Sequence, residues 1–151
     1  MNSAVRVLVR AASLIALAVT GWASNVRWGT STAVRNGPPA QWERFVVGAA
    51  MLSALVAFTV WLGTRAGAGP SRLWLRAAAC LFALGVAAIA FTLRQRALDL
   101  KLPDMVAGPG WMWLATGAGL SIATAVGSFA VRETASQRSR ARRRAASQRG
   151  R

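Results

Sequence analysis

The chain has 151 residues, of which 54% are hydrophobic, and its 19 basic and 4 acidic side chains give a net charge of +15. The hydrophobic residues fall in four blocks, whereas a soluble amphipathic helix or a half-buried strand would alternate them with polar residues. Composition therefore argues against an ordinary soluble domain and predicts a membrane protein. Its basic excess favours partners that carry phosphate, anionic lipid before nucleic acid.

The first apolar block covers residues 11–26, between Arg10 and Arg27. It is short for a membrane span unless the stem of Arg10 lies along the helix while its charged head reaches the headgroups, so we expect a span over about residues 8–26. The same stretch resembles a signal peptide with Gly21-Trp22-Ala23 in the cleavage region. Because Trp22 is bulky where a signal peptidase takes small side chains, we expect this helix to be retained.

Two more apolar blocks follow at residues 45–62 and 73–93, and the third has Trp74 and Arg76 as anchors near its start. The link between these blocks is short and contains Pro70 with two glycines, which end helices. The third span must therefore return antiparallel beside the second.

The two loops predicted at the opposite end of the bundle from that short link contain different sequence patterns. The first contains the turn sequence Asn36-Gly37-Pro38-Pro39. The second places Leu98, Leu100 and Leu102 at a spacing of two with charges between them, which in an extended chain gives one apolar face. That segment either lies along the headgroups with its leucines in lipid or presents a strand edge to a partner protein.

The last apolar block, residues 111–131, is uncharged and opens with two tryptophans typical of a membrane interface. Small residues at a spacing of four let helix backbones approach closely, so we expect them to mark a helix-packing face on which Leu114 does not lie. The partner of that face is either another helix of the same bundle or a helix of another subunit. The four residues are Ala115, Gly119, Ala123 and Gly127.

The tail, residues 132–151, contains eight arginines and one glutamate, and we expect it to be flexible or helical. With both termini in the cytoplasm, about two thirds of the basic residues fall on the cytoplasmic side, as the positive-inside rule requires. The tail has no Leu, Phe or Trp to insert into lipid, so it acts through charge, either holding anionic lipid or a partner or only enforcing topology. The predicted contact residues are Arg138, Arg140, Arg142, Arg143 and Arg144.

Several kinds of site are missing from the sequence. It contains no histidine, which removes imidazole metal ligands and histidine acid–base catalysis. The cores of the four blocks contain no acidic residue of the kind that proton-coupled transport uses. We interpret Cys80, the single cysteine, as a small buried hydrophobic residue. We therefore predict no metal, no cofactor and no enzymatic activity.

The run Gly108-Pro109-Gly110-Trp111-Met112-Trp113-Leu114 opens a last span rich in glycine and alanine. Together with tryptophans in or beside both outer loops and a basic tail, it resembles small four-span membrane proteins of actinobacteria. One such group is the tryptophan-rich family often encoded beside tryptophan-synthesis genes. The resemblance implies an accessory membrane protein without catalytic residues.

The sequence thus predicts an all-α membrane protein with four antiparallel transmembrane helices in residues 1–131 and a cytoplasmic tail. The bias towards Ala, Arg, Gly and Val is typical of GC-rich bacteria, and we expect this protein in the bacterial cytoplasmic membrane. We expect an accessory or scaffolding subunit of a larger envelope complex, with the bilayer and other membrane subunits as partners and nucleic acid disfavoured. The alternatives are a phage-type holin and a membrane-anchored tail that binds a polyanion.

Overall fold

The computed structural model describes residues 2–28, 38, 40–64, 71–101 and 108–149. Four helices make up this part of the chain: α1 (Asn2–Trp22), α2 (Ala40–Gly63), α3 (Ser71–Asp99) and α4 (Pro109–Arg149). Each contains a segment long and apolar enough to cross a membrane, namely Ala4–Trp22, Trp42–Gly63, Leu73–Asp99 and Pro109–Phe129. The predicted all-α class is confirmed, and the four helices have the length and apolar composition that the predicted spans require. Of the predicted turn at residues 36–39, only Pro38 lies within the described residues.

The first helix begins earlier than predicted and ends four residues before Val26. After Trp22 the chain turns, and the N–H of Asn25 donates to the carbonyl of Trp22 at 2.9 Å. The hydroxyl of Ser24 donates to the carbonyl of Gly21 at 2.6 Å. Short polar side chains of this kind offer the backbone an alternative to the helix, which explains the early end.

The third helix is longer than predicted and runs to Asp99, which corrects the interpretation of the leucine segment. Leu98 is helical and Leu100 is in the following turn, so they do not form an extended strand edge. The helix is closed by Lys101, whose φ of 54° is left-handed and whose N–H donates to the carbonyl of Leu98 at 3.0 Å. Leu102 lies outside the described residues.

The helices alternate in direction, as contacts at the two ends of the bundle show. Arg10 in the first half of α1 contacts Thr64 just after α2, and Arg76 near the start of α3 contacts Gly63. At the opposite end, the Arg96 guanidinium near the end of α3 lies 5.2 Å from the ring centroid of Phe45 near the start of α2. We call the first the arginine end and the second, where Trp28 and Trp42 lie, the aromatic end.

Both α1 and α3 pack against α2 and α4, and α2 and α4 also touch each other. Buried positions recur alternately every three and four residues, the spacing with which helices pack at small crossing angles. In α2 these are Val46, Ala49, Ser53, Val56 and Val60, and in α3 they are Ala79, Ala83, Val86, Ala90, Leu93 and Ala97.

Candidate functional site

The predicted small-residue stripe of α4 does not face the interior of the bundle. Gly119 and Ala123 are exposed, Ala115 and Gly127 are half-buried, and a Cβ added at Gly119 would meet no atom within 4 Å. Only at Gly127 would an added Cβ touch a neighbour, at 3.6 Å from Val9 Cγ2. The internal packing interpretation is therefore corrected, and a helix of another subunit remains the predicted partner for this stripe.

Inside the bundle, α4 packs through a different face that includes Leu114, which is fully buried. This overturns the expectation that Leu114 lies outside the packing face. Residues four apart drift around a helix by about 40° per step, whereas alternating steps of three and four drift by only about 20° per seven residues. The second pattern is the one the bundle uses, and its buried members are Leu114, Ala118, Ser121, Ala125 and Ser128.

The helices α1 and α4 approach each other closely at Gly117. A Cβ added there would collide with Thr20 Oγ1 and would lie 3.1 Å from Thr20 Cα. Small residues permit such backbone approaches, through which helices gain dispersion contacts in lipid. Gly117 is therefore the glycine of α4 on which this helix pair depends, and it lies just outside the predicted stripe.

Three buried hydroxyls join three helices in the middle of the bundle. Thr20 Oγ1 donates to the carbonyl of Ala16 at 2.7 Å and lies 3.4 Å from Ser53 Oγ, which is 3.2 Å from Ser121 Oγ. The cluster lies between two apolar clusters, one towards each end of the bundle. Interhelical hydrogen bonds of this kind contribute about 0.6 kcal/mol each to the association of helices. Because these hydroxyls meet only when α1, α2 and α4 are aligned as they are here, the cluster has a structural role and fixes the register of the three helices.

The aromatic end is closed by the chain that follows α1. Trp28 is 3% exposed, donates through Nε1 to the carbonyl of Ala23 at 2.8 Å, and packs edge-on to Trp42 with ring centroids 6.1 Å apart. The N–H of Gly110, which has no partner within its own helix, donates to the carbonyl of Arg27 at 2.9 Å. A Cβ at Gly110 would lie 2.5 Å from Trp28 Nε1, so the glycine provides the space that the indole occupies.

The arginine end places two guanidinium groups at the last turn of α2. Arg10 Nε donates to Thr64 Oγ1 at 2.9 Å, and its guanidinium lies 5.5 Å from the ring centroid of Trp61. Arg76, which is 5% exposed, donates through Nε and a terminal nitrogen to the carbonyl of Gly63 at 3.3 and 3.0 Å. Arg6 is half-buried.

Sequence reasoning found the anchoring roles of Arg10 and Arg76 but not their common target. A carbonyl in the last turn of a helix lacks a partner within that helix and carries the negative end of the helix dipole. Two arginines from neighbouring helices satisfy that end of α2. The sequence feature that could have indicated these contacts is that each arginine lies in the first half of a helix antiparallel to α2.

The tail continues α4 as one helix to Arg149. The side chains of Arg138, Arg140 and Arg142 to Arg144 lie outside the described residues, so their predicted contacts with anionic lipid or a partner stay predictions.

Among the described residues no three His, Cys, Asp or Glu side chains come together in a way that could hold a metal ion. Cys80 is half-buried and packs against the apolar cluster nearer the arginine end. No protein-family model, curated protein or solved structure matches this chain. The resemblance to the tryptophan-rich family therefore stays a prediction.

Proposed function

We propose that this protein is an accessory or scaffolding subunit of a larger complex in the bacterial cytoplasmic membrane, with both termini in the cytoplasm and no catalytic activity of its own. The proposal rests on α4, which has one face buried in the bundle and another face exposed. This helix packs into the bundle through Leu114 and its buried neighbours, leaves Gly119 and Ala123 exposed, and continues without a break to Arg149.

The exposed part of the stripe supports a partner helix because it is not needed inside the bundle. In lipid there is no hydrophobic force between helices, so association depends on close packing, which small residues permit. A second helix could approach α4 closely at Gly119, where a Cβ would meet no atom of this chain within 4 Å. The same helix then offers its arginine-rich continuation to the partner's cytoplasmic surface.

Co-purification tests this proposal. The tagged protein is extracted in a gentle detergent, captured, and its partners are identified by mass spectrometry, in parallel for the wild type, Gly119→Leu and Ala88→Leu. Ala88 is an exposed small residue of α3 and serves as the matched control. We expect the wild type and Ala88→Leu to retain the same membrane subunits and Gly119→Leu to lose them while its own melting temperature is unchanged.

Two results would refute the scaffold role. One is that no membrane subunit co-purifies with the wild type above an untagged control. The other is that Gly119→Leu retains every partner, which would remove the stripe as the contact.

The holin alternative predicts a different phenotype. Expression of the chain alone should then collapse the membrane potential at a defined time, and an accessory subunit should leave it intact.

A further inference from the structure

The exposed face of α4 continues beyond the apolar segment on the same helix. α4 is unbroken from Pro109 to Arg149, whereas its apolar segment ends at Phe129. The chain between Phe129 and Arg149 contains no Pro or Gly, the residues at which helices most often kink. The position of a residue around the helix can therefore be followed from the apolar segment into the tail.

Two of the tail arginines lie on the side of α4 that is exposed in the apolar segment. Five turns of an α-helix are about 18 residues, so residues at that separation lie on the same side of the helix. Arg140 follows Ile122 by this separation, and Arg144 follows Val126 by it. Ile122 and Val126 are exposed and lie one and two turns after Gly119. The helix face that contains Gly119 in the apolar segment thus contains Arg140 and Arg144 in the tail.

The helix carries these two positions beyond the lipid headgroups. At about 1.5 Å per residue, the Cα atoms of Arg140 and Arg144 lie about 16 and 22 Å past Phe129 along the helix axis. The headgroup region extends only about 5–8 Å past the hydrocarbon, and attraction to an anionic leaflet decays over a Debye length of about 8 Å. A free tail peptide can lie flat on a vesicle, but the continuous helix holds these residues away from the leaflet.

A protein surface that carries carboxylates is the complement of this face. None of residues 134–151 is acidic, so no side chain of this part of the tail neutralises the two arginines. Arginine binds a carboxylate through two parallel N–H donors, and opposite charges across an interface determine which partner binds and in which register. A subunit that packs on Gly119 in the membrane emerges on the side of α4 where Arg140 and Arg144 lie.

We infer that Arg140 and Arg144 bind an acidic surface on the cytoplasmic part of the subunit that packs against Gly119. The inference rests on the scaffold role proposed above and deepens it. It adds the charge of the partner's surface and the two residues that meet it. It also places that surface about 16–22 Å past the end of the apolar segment.

Capture of partners by the full-length protein in a gentle detergent tests the two arginines. The probe is the set of membrane subunits that co-purify with the wild type and are lost from Gly119→Leu. The control for Arg144→Gln is Arg149→Gln, because Arg149 lies five turns after Val131, which is buried in the bundle. An exposed ion pair contributes up to about fivefold in affinity. We therefore expect up to about fivefold less subunit on Arg144→Gln and on Arg140→Gln, and no loss on Arg149→Gln.

Carbodiimide cross-linking tests the chemistry of the partner's surface. A lysine keeps the positive charge and is coupled to a nearby carboxylate as an amide, while the carbodiimide takes up the water that is lost. We expect Arg144→Lys to cross-link to an aspartate or glutamate of a captured subunit, identified by peptide mass spectrometry, and Arg149→Lys not to do so. Cross-links from both positions, or from neither, overturn the inference.

The remaining outcomes separate the other partners and the scaffold role. Equal loss of subunits from Arg144→Gln and Arg149→Gln would show that only net charge counts, as for a lipid leaflet, and would overturn the contact. Release of the subunits by nuclease would show bridging nucleic acid and overturn it too. If Arg144→Gln retains the subunits that Gly119→Leu loses, this inference fails and the scaffold role stands. If the wild type captures no membrane subunit, both fail.

Discussion

Gly117 and Gly119 are two residues apart on α4 but have opposite surroundings. A Cβ at Gly117 would collide with Thr20, whereas a Cβ at Gly119 would meet no atom within 4 Å. We expect Gly117→Ala to destabilise the bundle by about 1–3 kcal/mol, the usual cost of overpacking, and Gly119→Ala to be neutral or slightly stabilising because alanine favours helices. Thermal unfolding in detergent, followed by circular dichroism, measures both. Equal melting temperatures for the two variants would contradict the close approach of α1 and α4.

Among the side chains of α4 that the structure describes, Leu114 is the largest that is completely buried. We expect Leu114→Ala to destabilise the protein by about 2 kcal/mol or more, because truncating a packed leucine leaves a cavity. The control is Leu81→Ala, which truncates a leucine of α3 that is 69% exposed and should change little. Chemical unfolding in mixed micelles compares the two. A tolerated Leu114→Ala would restore the original expectation that the packing face lies elsewhere.

At the scale of elements, the start of α4 and the end of α1 depend on each other through Trp28. Gly110→Ala places a methyl group where the indole packs, so we expect Trp28 to be displaced and the tryptophan emission to shift to longer wavelength. Gly21→Ala is the matched change, since a Cβ there meets no atom within 4 Å. If both variants keep the emission maximum of the wild type, the indole of Trp28 does not pack against Gly110.

Helix identity and number could be predicted from the sequence because uninterrupted apolar blocks are a strong signal. Helix ends were less predictable. The last turns of α3 up to Asp99 contain charged residues, and nothing local shows that Arg96 lies over the Phe45 ring. The packing face of α4 was missed because glycine and alanine also occur at lipid-facing positions, and only the neighbouring helices distinguish Gly117 from Gly119.

The candidate sites, like the helices, were predictable from the sequence only in part. Basic residues near helix starts indicated membrane-boundary anchors, but the meeting of Arg10 and Arg76 at the end of α2 is a property of three helices together. The packing of Trp28 against Gly110 is likewise a tertiary contact. A glycine directly after the proline that begins a helix is the local signal that points to such a close approach.

For the whole molecule, alternation of the four helices places the start of α1 and the end of the last apolar segment, Phe129, at the same end of the bundle. A reporter fused after Arg151 and one inserted in the turn at residues 36–39 should therefore report opposite sides, with Arg151 in the cytoplasm. Alkaline phosphatase and green fluorescent protein fusions give complementary readouts. Reporters that locate to the same side would contradict the four-span topology.

The tail's predicted attraction to anionic lipid depends on charge more than on guanidinium geometry. Replacing its five predicted contact arginines, residues 138, 140 and 142–144, by lysine should preserve binding of a tail peptide to anionic vesicles, and replacing them by glutamine should abolish it. High salt should weaken binding, since the Debye length falls from about 10 Å at 0.1 M to about 3 Å at 1 M. A lysine tail that loses binding would indicate an acidic protein surface that uses bidentate arginine contacts.

The pairing of α1 with α4 also constrains how the protein is made. The second and third helices are neighbours in sequence and can associate as soon as both have entered the bilayer, but α1 meets Gly117 and Gly110 only after the last helix has been synthesised. Until then α1 can pack only against α2, through contacts such as that between Thr20 Oγ1 and Ser53 Oγ. A chain that stops before α4 would therefore leave uncovered the face of α1 that meets Gly117 and Gly110.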